Sequence, residues 1–398
     1  GNPTNVACIT DGNWVFKATV LDATSGTLKL GSRLAGTGDT LGLDDITISS
    51  GGTQYSITAL EDYAFPSCVT NLTLPSTLTS LAAGSAPGTV RSLTLHADGV
   101  TTIPYVAFYH LYYLTNADIR LPNVTSIGEQ CFSGNTGMVV DVSGVCPPCV
   151  RTFADGAFAN CKKMTGDLVL TNLVSIAGGS QFQYCSSLTG IHIESDTLTS
   201  FPSYMFQNAT GCSNLTIRAP NLGSSGWYAF NNLTRLTNDV ADSIPMHVRS
   251  ISQCSFQNES FHGTLVLTNC AAIGVGGFNG CKQLTGAKLS ATTNLLADAF
   301  NGDTGLGSVE LTSPDLARID LRAFYNCTSL TNLVIGSTIP PWIALHSYGY
   351  DAAFGSCPLK SVTFWGAAPA RGTNTLTLIL VSVAAKSDGT HDCAIYAS

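Results

Sequence analysis

Apolar residues return along this chain with a long period, not a helical or strand-like one. A phenylalanine, usually after a small residue, stands at Phe65, Phe108, Phe132, Phe158, Phe182, Phe206, Phe230, Phe256, Phe278, Phe300, Phe324 and Phe354, and Ala86 fills the same slot in one degenerate unit. The intervals run from 21 to 30 residues and average about 24. Five residues before the anchor an apolar side chain recurs, as at Leu60, Ile103, Ile127, Phe153, Ile251 and Ile319. Six residues after it comes Leu or Met, as at Leu114, Met138, Met164, Leu188, Leu284 and Leu330. A short alternating run follows, such as LTLH, LVLT, IHIE, LTIR or VELT.

Alternation over four or five residues predicts a half-buried strand. The segment around each Phe is too short for a full helix, so 3₁₀ or one-turn helical pieces are expected there. A unit of this size cannot bury its apolar face alone, whereas stacked units bury one another's Leu, Ile and Phe in a continuous core. The expected fold class is therefore an α/β repeat solenoid of about 13 coils, with one parallel sheet and short 3₁₀ or helical turns.

The ends depart from the repeat. Residues 1–44, with WVFKATVLD and GTLKLGSRLAGTGDT, predict an N-terminal β cap, and residues 45–366 the solenoid. Residues 367–398 read as two strands around Ser387-Asp388-Gly389, either a C-terminal β cap or the start of a further domain. The most apolar run, Leu376 to Ala385, is far shorter than the roughly 20 residues of a spanning helix and is rich in Thr and Val, so it is expected to be strand and not a transmembrane segment. The opening GNPTN has neither a charged nor an apolar region of a signal peptide and suggests a trimmed terminus.

Composition narrows the partners. Hydrophobic residues make up 44% of the 398-residue chain and charged residues only 11%, against roughly 25% in ordinary soluble domains. Thr, Ser, Asn and Gly form the polar surface instead, which suits an extracellular protein. The net charge is −8 and there is no Lys/Arg run, so no basic footprint for nucleic acid or an anionic membrane exists.

Among the 14 cysteines, Cys68, Cys161, Cys185, Cys281, Cys327 and Cys357 each lie three residues after an anchor Phe. One cysteine per coil in one slot predicts free, buried, small hydrophobes. Cys146-Pro147-Pro148-Cys149 has the spacing of a redox or half-zinc motif. Yet it lies between a strand and the next anchored turn, with no amphipathic helix after it and no second pair of ligands. A structural turn with free thiols, a local disulfide and a redox or metal site are the open readings, and no catalytic redox role is expected. The seven histidines are scattered, and no nucleophile elbow, phosphate loop or zinc-protease signature is present. Asp39, Asp44 and Asp45 are read as solvated loop acids over a calcium site. No enzyme, cofactor or metal site is expected.

The residue between the two inward apolar positions of each strand should face outward. That row contains Arg120, Asp141, His192, Thr216, Lys288 and Glu310, and a second row two residues on contains His96, Glu194 and Arg218. Arg120/Asp141 and Lys288/Glu310 would place opposite charges on neighbouring strands. The first row has no aromatic ring, which disfavours sugar stacking there. The candidate binding face is accordingly Arg120, Asp141, His192, Glu194, Thr216, Arg218, Lys288 and Glu310.

The recurring slots, seen in VTSIGEQCFSGN, ITALEDYAFPSC and VRTFADGAFANC, together resemble the BspA-like leucine-rich repeat over roughly residues 45–366. The resemblance implies a right-handed curved solenoid, export to a bacterial cell surface, and adhesion to a host, matrix or plasma protein; the chain itself is expected to be a monomer. A structural spacer of a larger surface protein is the other reading.

Overall fold

The structure, a computed structural model, describes residues 5–10, 14–44, 46–50, 52–338, 341–344, 352–364 and 394–397. It divides into two compact units, Gly1–Glu194 and Ser195–Ser398. The Leu376 to Ala385 run, the turn at Ser387 to Gly389 and nearly all of the expected C-terminal cap lie outside the described residues.

In the first unit, Trp14–Asp22 and Thr27–Gly36 form an antiparallel hairpin, extended by Asn5–Thr10 on one side and Thr53–Leu60 on the other. This cap sheet therefore reaches Leu60. Trp14 and Phe16 are fully buried, and Phe16 meets the first anchor, Phe65, edge-on at 6.1 Å. The solenoid starts inside the same segment, because Thr40–Gly42 already pairs in parallel with Asn71–Thr73.

Each unit carries two columns of parallel strands where one was expected. In the first unit the broad column includes Ser92–His96, Asn116–Arg120, Met164–Leu170 and Leu188–Glu194. Its second column consists of two-residue strands, Thr102–Ile103, Ser126–Ile127, Thr152–Phe153 and Ser175–Ile176, at the apolar slot before each anchor. In the second unit the broad column runs from Gly263–Leu267 through Leu284–Leu289, Ser308–Leu311 and Asn332–Ile335 to Ser361–Phe364, with Ala394–Ala397 added in parallel. Its narrow column runs from single bridges at Ser200 and Ser224 through Ser250–Ile251 to Trp342–Ile343. Among the described residues complete turns number about 11 against the 13 expected, because the coils of Phe65 and Ala86 lack this regular narrow strand.

The anchored turns are not helical, which corrects the expected 3₁₀ pieces. Two residues before each anchor the backbone is left-handed, with φ of 45 to 62° from Tyr63 to Arg322. Two residues after it, from His110 to Ser356, it is left-handed again, with φ of 54 to 82°. Such residues end any right-handed turn. They rotate alternate N–H groups towards the next coil: Phe132 N–H donates to Ala157 O at 2.8 Å and Gly134 N–H to Ala159 O at 2.8 Å, and Phe278 and Gly280 do the same to Ala299 and Asn301. The turn thus continues the inter-coil ladder. Non-glycine residues at φ > 0 cost roughly 1–2 kcal/mol each, and the added ladder bonds offset that.

Within each unit the rings stack. Phe108, Phe132, Phe158 and Phe182 are spaced 4.9 to 5.3 Å apart. Phe206 to Phe354 in the second unit are spaced 5.1 to 5.6 Å. Near-parallel rings at this distance gain stacking energy in addition to their burial.

Among the described residues, helix is confined to two single turns, Val142–Val145 and Val240–Ser243. Both take the place of the second half of a broad strand, after pairing at Val140–Asp141 and at Asp239, and both precede an anchor reached after 26 residues, at Phe158 and Phe256. Their sequences match as DVSGVCPPCV and DVADSIPMHV. Asp141 caps the first through Ser143 N–H at 2.9 Å, and Asp239 caps the second through Ala241 N–H at 2.9 Å. The carboxylates fill the space above Gly166 and Gly263, where a Cβ would approach an oxygen to 2.6 and 2.2 Å. Cys146 and Cys149 therefore occupy the positions that Ile244 and His247 hold in the other copy.

Candidate interaction face

The broad strands hold the outward row in register. Thr94 lies opposite Asp118 and His96 opposite Arg120. This moves Arg120 from the first outward row to the second and puts Asp118 in its place. The inward pair of that strand is Ala117 and Ile119, not Ile119 and Leu121. The 24-residue step from Leu93 and Leu95 would have located Ala117 and Ile119, but an alanine in an apolar slot concealed them.

Asp118 is the centre of the polar group so formed. His96 Nε2 lies 2.9 Å from its Oδ2, a hydrogen bond when that nitrogen carries its proton, and Arg120 Nε lies 3.3 Å from Oδ1. The His96 hydrogen bond, and then the His96 and Arg120 charges, hold the Asp118 carboxyl below its ordinary value of 3.8. All three side chains are 41–70% exposed, so each ion pair contributes at most about 1 kcal/mol and weakens with salt.

Asp141 does not pair with Arg120; its carboxylate is used in capping. His192 lies opposite Val169, half-buried, and Glu194 is exposed at the end of the same strand. In the second unit, Thr216 is half-buried and Arg218 exposed on Asn214–Arg218, and Arg218 O accepts Ser195 N–H at 2.9 Å. Lys288 and Glu310 are in register, with Nζ and Oε1 3.0 Å apart, as the pattern predicts. The first unit thus gathers His96, Asp118 and Arg120, and the second gathers Lys288 and Glu310. Among the described residues no group of three His, Cys, Asp or Glu is arranged to hold a metal, and no helix is long and apolar enough to cross a membrane.

The cysteine slot has more structure than an apolar filler. Cys161 S–H donates to Phe132 O and Cys185 S–H to Phe158 O, both at 3.1 Å. In the second unit Cys281, Cys327 and Cys357 make the same bond to Phe256, Phe300 and Phe324 at 2.9 to 3.0 Å. Burial pushes the Cys161 thiol up to about 12 and raises Cys146 further. Cys146 and Cys149 are free thiols; Cys149, half-buried, donates to Pro122 O and Val124 O. A thiolate nucleophile needs a lowered pKa, and the environment of Cys146 does the opposite. Peptide mapping after brief alkylation of the native chain should find Cys68 and Cys149 labelled. Cys161, Cys185, Cys281, Cys327 and Cys357 should remain unlabelled until unfolding, and prompt labelling of that set would contradict the slot geometry.

Parallel coils of one short repeat, each with a strand, an anchored turn and a second narrow strand, define a leucine-rich-repeat solenoid. The "BspA type Leucine rich repeat region (6 copies)" matches residues 41–164, 143–262 and 249–370, and the chain belongs to that family. A leucine-rich repeat protein of Bacteroides ovatus ATCC 8483 is similar in structure, with a TM-score of 0.55 and 16% identity over 98% of this chain and 90% of that one. A leucine rich cell surface protein of Faecalibacterium prausnitzii A2-165 has a TM-score of 0.41 at 18% identity over 89% of this chain and 99% of that one. The pneumococcal vaccine antigen PcpA has a TM-score of 0.38 at 13% identity over the whole of both chains. The first of these supports the fold. No curated protein matches the chain.

Proposed function

We propose that this chain is a non-enzymatic, monomeric binding module of a cell-surface or secreted protein, and that it engages an extracellular protein of the host-matrix or plasma class through its strand face. The observation that carries this reading is the in-register polar face, above all the exposed His96, Asp118 and Arg120 group on two paired strands. A rigid ladder holds these side chains without any ordering of a loop, which lowers the cost of association. Exposed charges of both signs suit a complementary protein surface. The low charge content and the thiols locked in the core fit the same reading, as does membership of the BspA-type family. The test is binding of the purified chain to immobilised fibronectin, fibrinogen, collagen and serum albumin at physiological salt. Saturable binding to a matrix or plasma protein is expected, and it should weaken as salt rises. No binding to any of them would shift the reading to a spacer of a larger surface protein.

A further inference from the structure

The turn side of the first unit carries the aromatic rings that the strand face lacks. Tyr63, Tyr105, Tyr109, Tyr112 and Tyr113 are all 36–69% exposed, and they belong to the coils anchored by Phe65 and Phe108. Between those coils lies the one whose anchor is Ala86. Its turn, AAGSAPG from Ala82 to Gly88, has no side chain larger than proline. The result is a trench one coil wide with tyrosines on both rims.

Two hollows lie on this turn, lined by successive stretches of the same three coils. One, of about 250 Å³, has Tyr63 and Tyr109 as walls, Ala86, Pro87 and Gly88 as floor, and Ser67 at its rim. The other, of about 520 Å³, lies along Ala82 and Ala83, between Asp62 on one side and Tyr105 on the other, with Lys29 also at its edge.

The trench is held open by hydrogen bonds. Ser85 is buried; its Oγ donates to Ala82 O at 2.7 Å and accepts Ala82 N–H at 2.9 Å. Tyr63 N–H donates to Ala83 O at 2.9 Å, and Ser85 N–H donates to Ala107 O at 2.7 Å, so the floor is tied to both walls. The rings are positioned as well. The Tyr63 ring lies over Gly84, where a Cβ would come within 2.3 Å of it. The Tyr109 ring stacks on His110 at 3.6 Å.

The first hollow has no charged group in its lining, which selects an uncharged occupant. Flat rings offer CH-stacking surfaces, and hydroxyls at the rim offer hydrogen bonds, the combination that suits a ring with one apolar face and a polar edge. Concave, largely apolar sites with a few placed polar groups are where small ligands bind. In the second hollow Asp62, whose Oδ1 already accepts Ala83 N–H at 3.1 Å, and Lys29 offer an acceptor and a donor for sugar hydroxyls.

We propose that this trench binds a neutral oligosaccharide, with one pyranose between Tyr63 and Tyr109 and the chain continuing along Ala82 and Ala83 towards Tyr105. The site is separate from the strand face and does not depend on the function proposed for it.

The probe is an array of neutral oligosaccharides, of glucose, mannose, galactose and N-acetylglucosamine units, screened with the full chain. The best binder is then titrated calorimetrically. Saturable binding is expected, weakened at least tenfold in Tyr63→Ala and in Tyr109→Ala. Gly88→Trp, at an exposed floor position where a Cβ meets nothing within 4 Å, fills the hollow and should abolish it while keeping the melting temperature. Replacing Asp118 and Arg120 by Ala should leave sugar binding unchanged. No binding across the array would overturn the proposal. So would full affinity in folded Tyr63→Ala and Tyr109→Ala variants, or capture of a decaproline peptide with no sugar bound.

Discussion

Asp303→Asn should raise the stability of the chain at pH 7 by about 1–3 kcal/mol, the cost of a buried polar group left without a partner. Glu259→Gln should act in the same direction. Both acids sit three residues after an anchor, in the slot that elsewhere holds cysteine, and both are at most 2% exposed. One oxygen of each is used: Asp303 Oδ1 accepts Cys281 N–H at 2.8 Å and Glu259 Oε1 accepts Leu233 N–H at 3.2 Å. The second oxygen of each is buried without a bond. Asn135 shows what the slot requires, in the other unit. Its Oδ1 accepts Leu111 N–H at 2.7 Å and its Nδ2 donates to Phe108 O at 2.9 Å. A carboxylate can make the first bond but not the second, whereas a protonated acid or an amide has a hydrogen for the anchor carbonyl.

Burial accordingly pushes both carboxyls well above their ordinary values of 3.8 for Asp303 and 4.5 for Glu259. The folded chain therefore holds protons that the unfolded chain releases. Stability is fully present below those ordinary values and is lost as pH rises from about 4 towards the raised folded values, with a slope approaching about 1.4 kcal/mol per pH unit for each acid. Denaturant melts from pH 4 to 8 should show this decline, and it should be largely absent in the Asp303→Asn/Glu259→Gln double variant. A wild-type chain more stable at pH 7 than at pH 5 would contradict it.

Phe300→Ala should destabilise the second unit by about 3–5 kcal/mol, the usual cost of emptying a large core site. Its ring is fully buried and stacked at 5.2 Å on Phe278 and on Phe324. The same slot holds Ala86 natively, next to the coil of Phe65, whose ring meets Phe16 of the cap sheet. Equal melts for Phe300→Ala and wild type would show that the rings are filler and not a stack on which the coils depend.

The phenylalanine beat made the solenoid legible because a large ring that returns in register, coil after coil, can be buried only against its own copies. The left-handed positions beside it were also written in the chain, as Asn or Gly two residues after many anchors, such as Asn160, Asn232, Asn258 and Gly280. The positions before the anchors gave a weaker signal: Gly84, Gly156 and Gly276 suit it, but Tyr63, Val106, Gln130 and Arg322 have no local preference for that conformation. There the inter-coil ladder imposes it, which a single coil's sequence cannot reveal. The cysteine slot was legible as buried for Cys161, Cys185, Cys281, Cys327 and Cys357 but not for Cys68, which is exposed, and its hydrogen-bond requirement emerged only from the carbonyl of the preceding coil. On the face, Lys288 and Glu310 were placed correctly because their strands step evenly. Arg120 was misplaced by Ala117, and Asp141 by the helical turn it caps. That turn also answers the Cys-Pro-Pro-Cys motif, whose second copy contains no cysteine at all.

The most direct measurement is the affinity of the wild-type chain and of an Asp118→Ala/Arg120→Ala/His192→Ala variant for the matrix or plasma protein that the wild type captures, compared at physiological salt. All three substitutions are on the strand face and leave the anchors and caps intact. A variant that melts as the wild type does but binds at least tenfold more weakly is the predicted result. Equal affinity in a folded variant would contradict the strand face as the interaction surface.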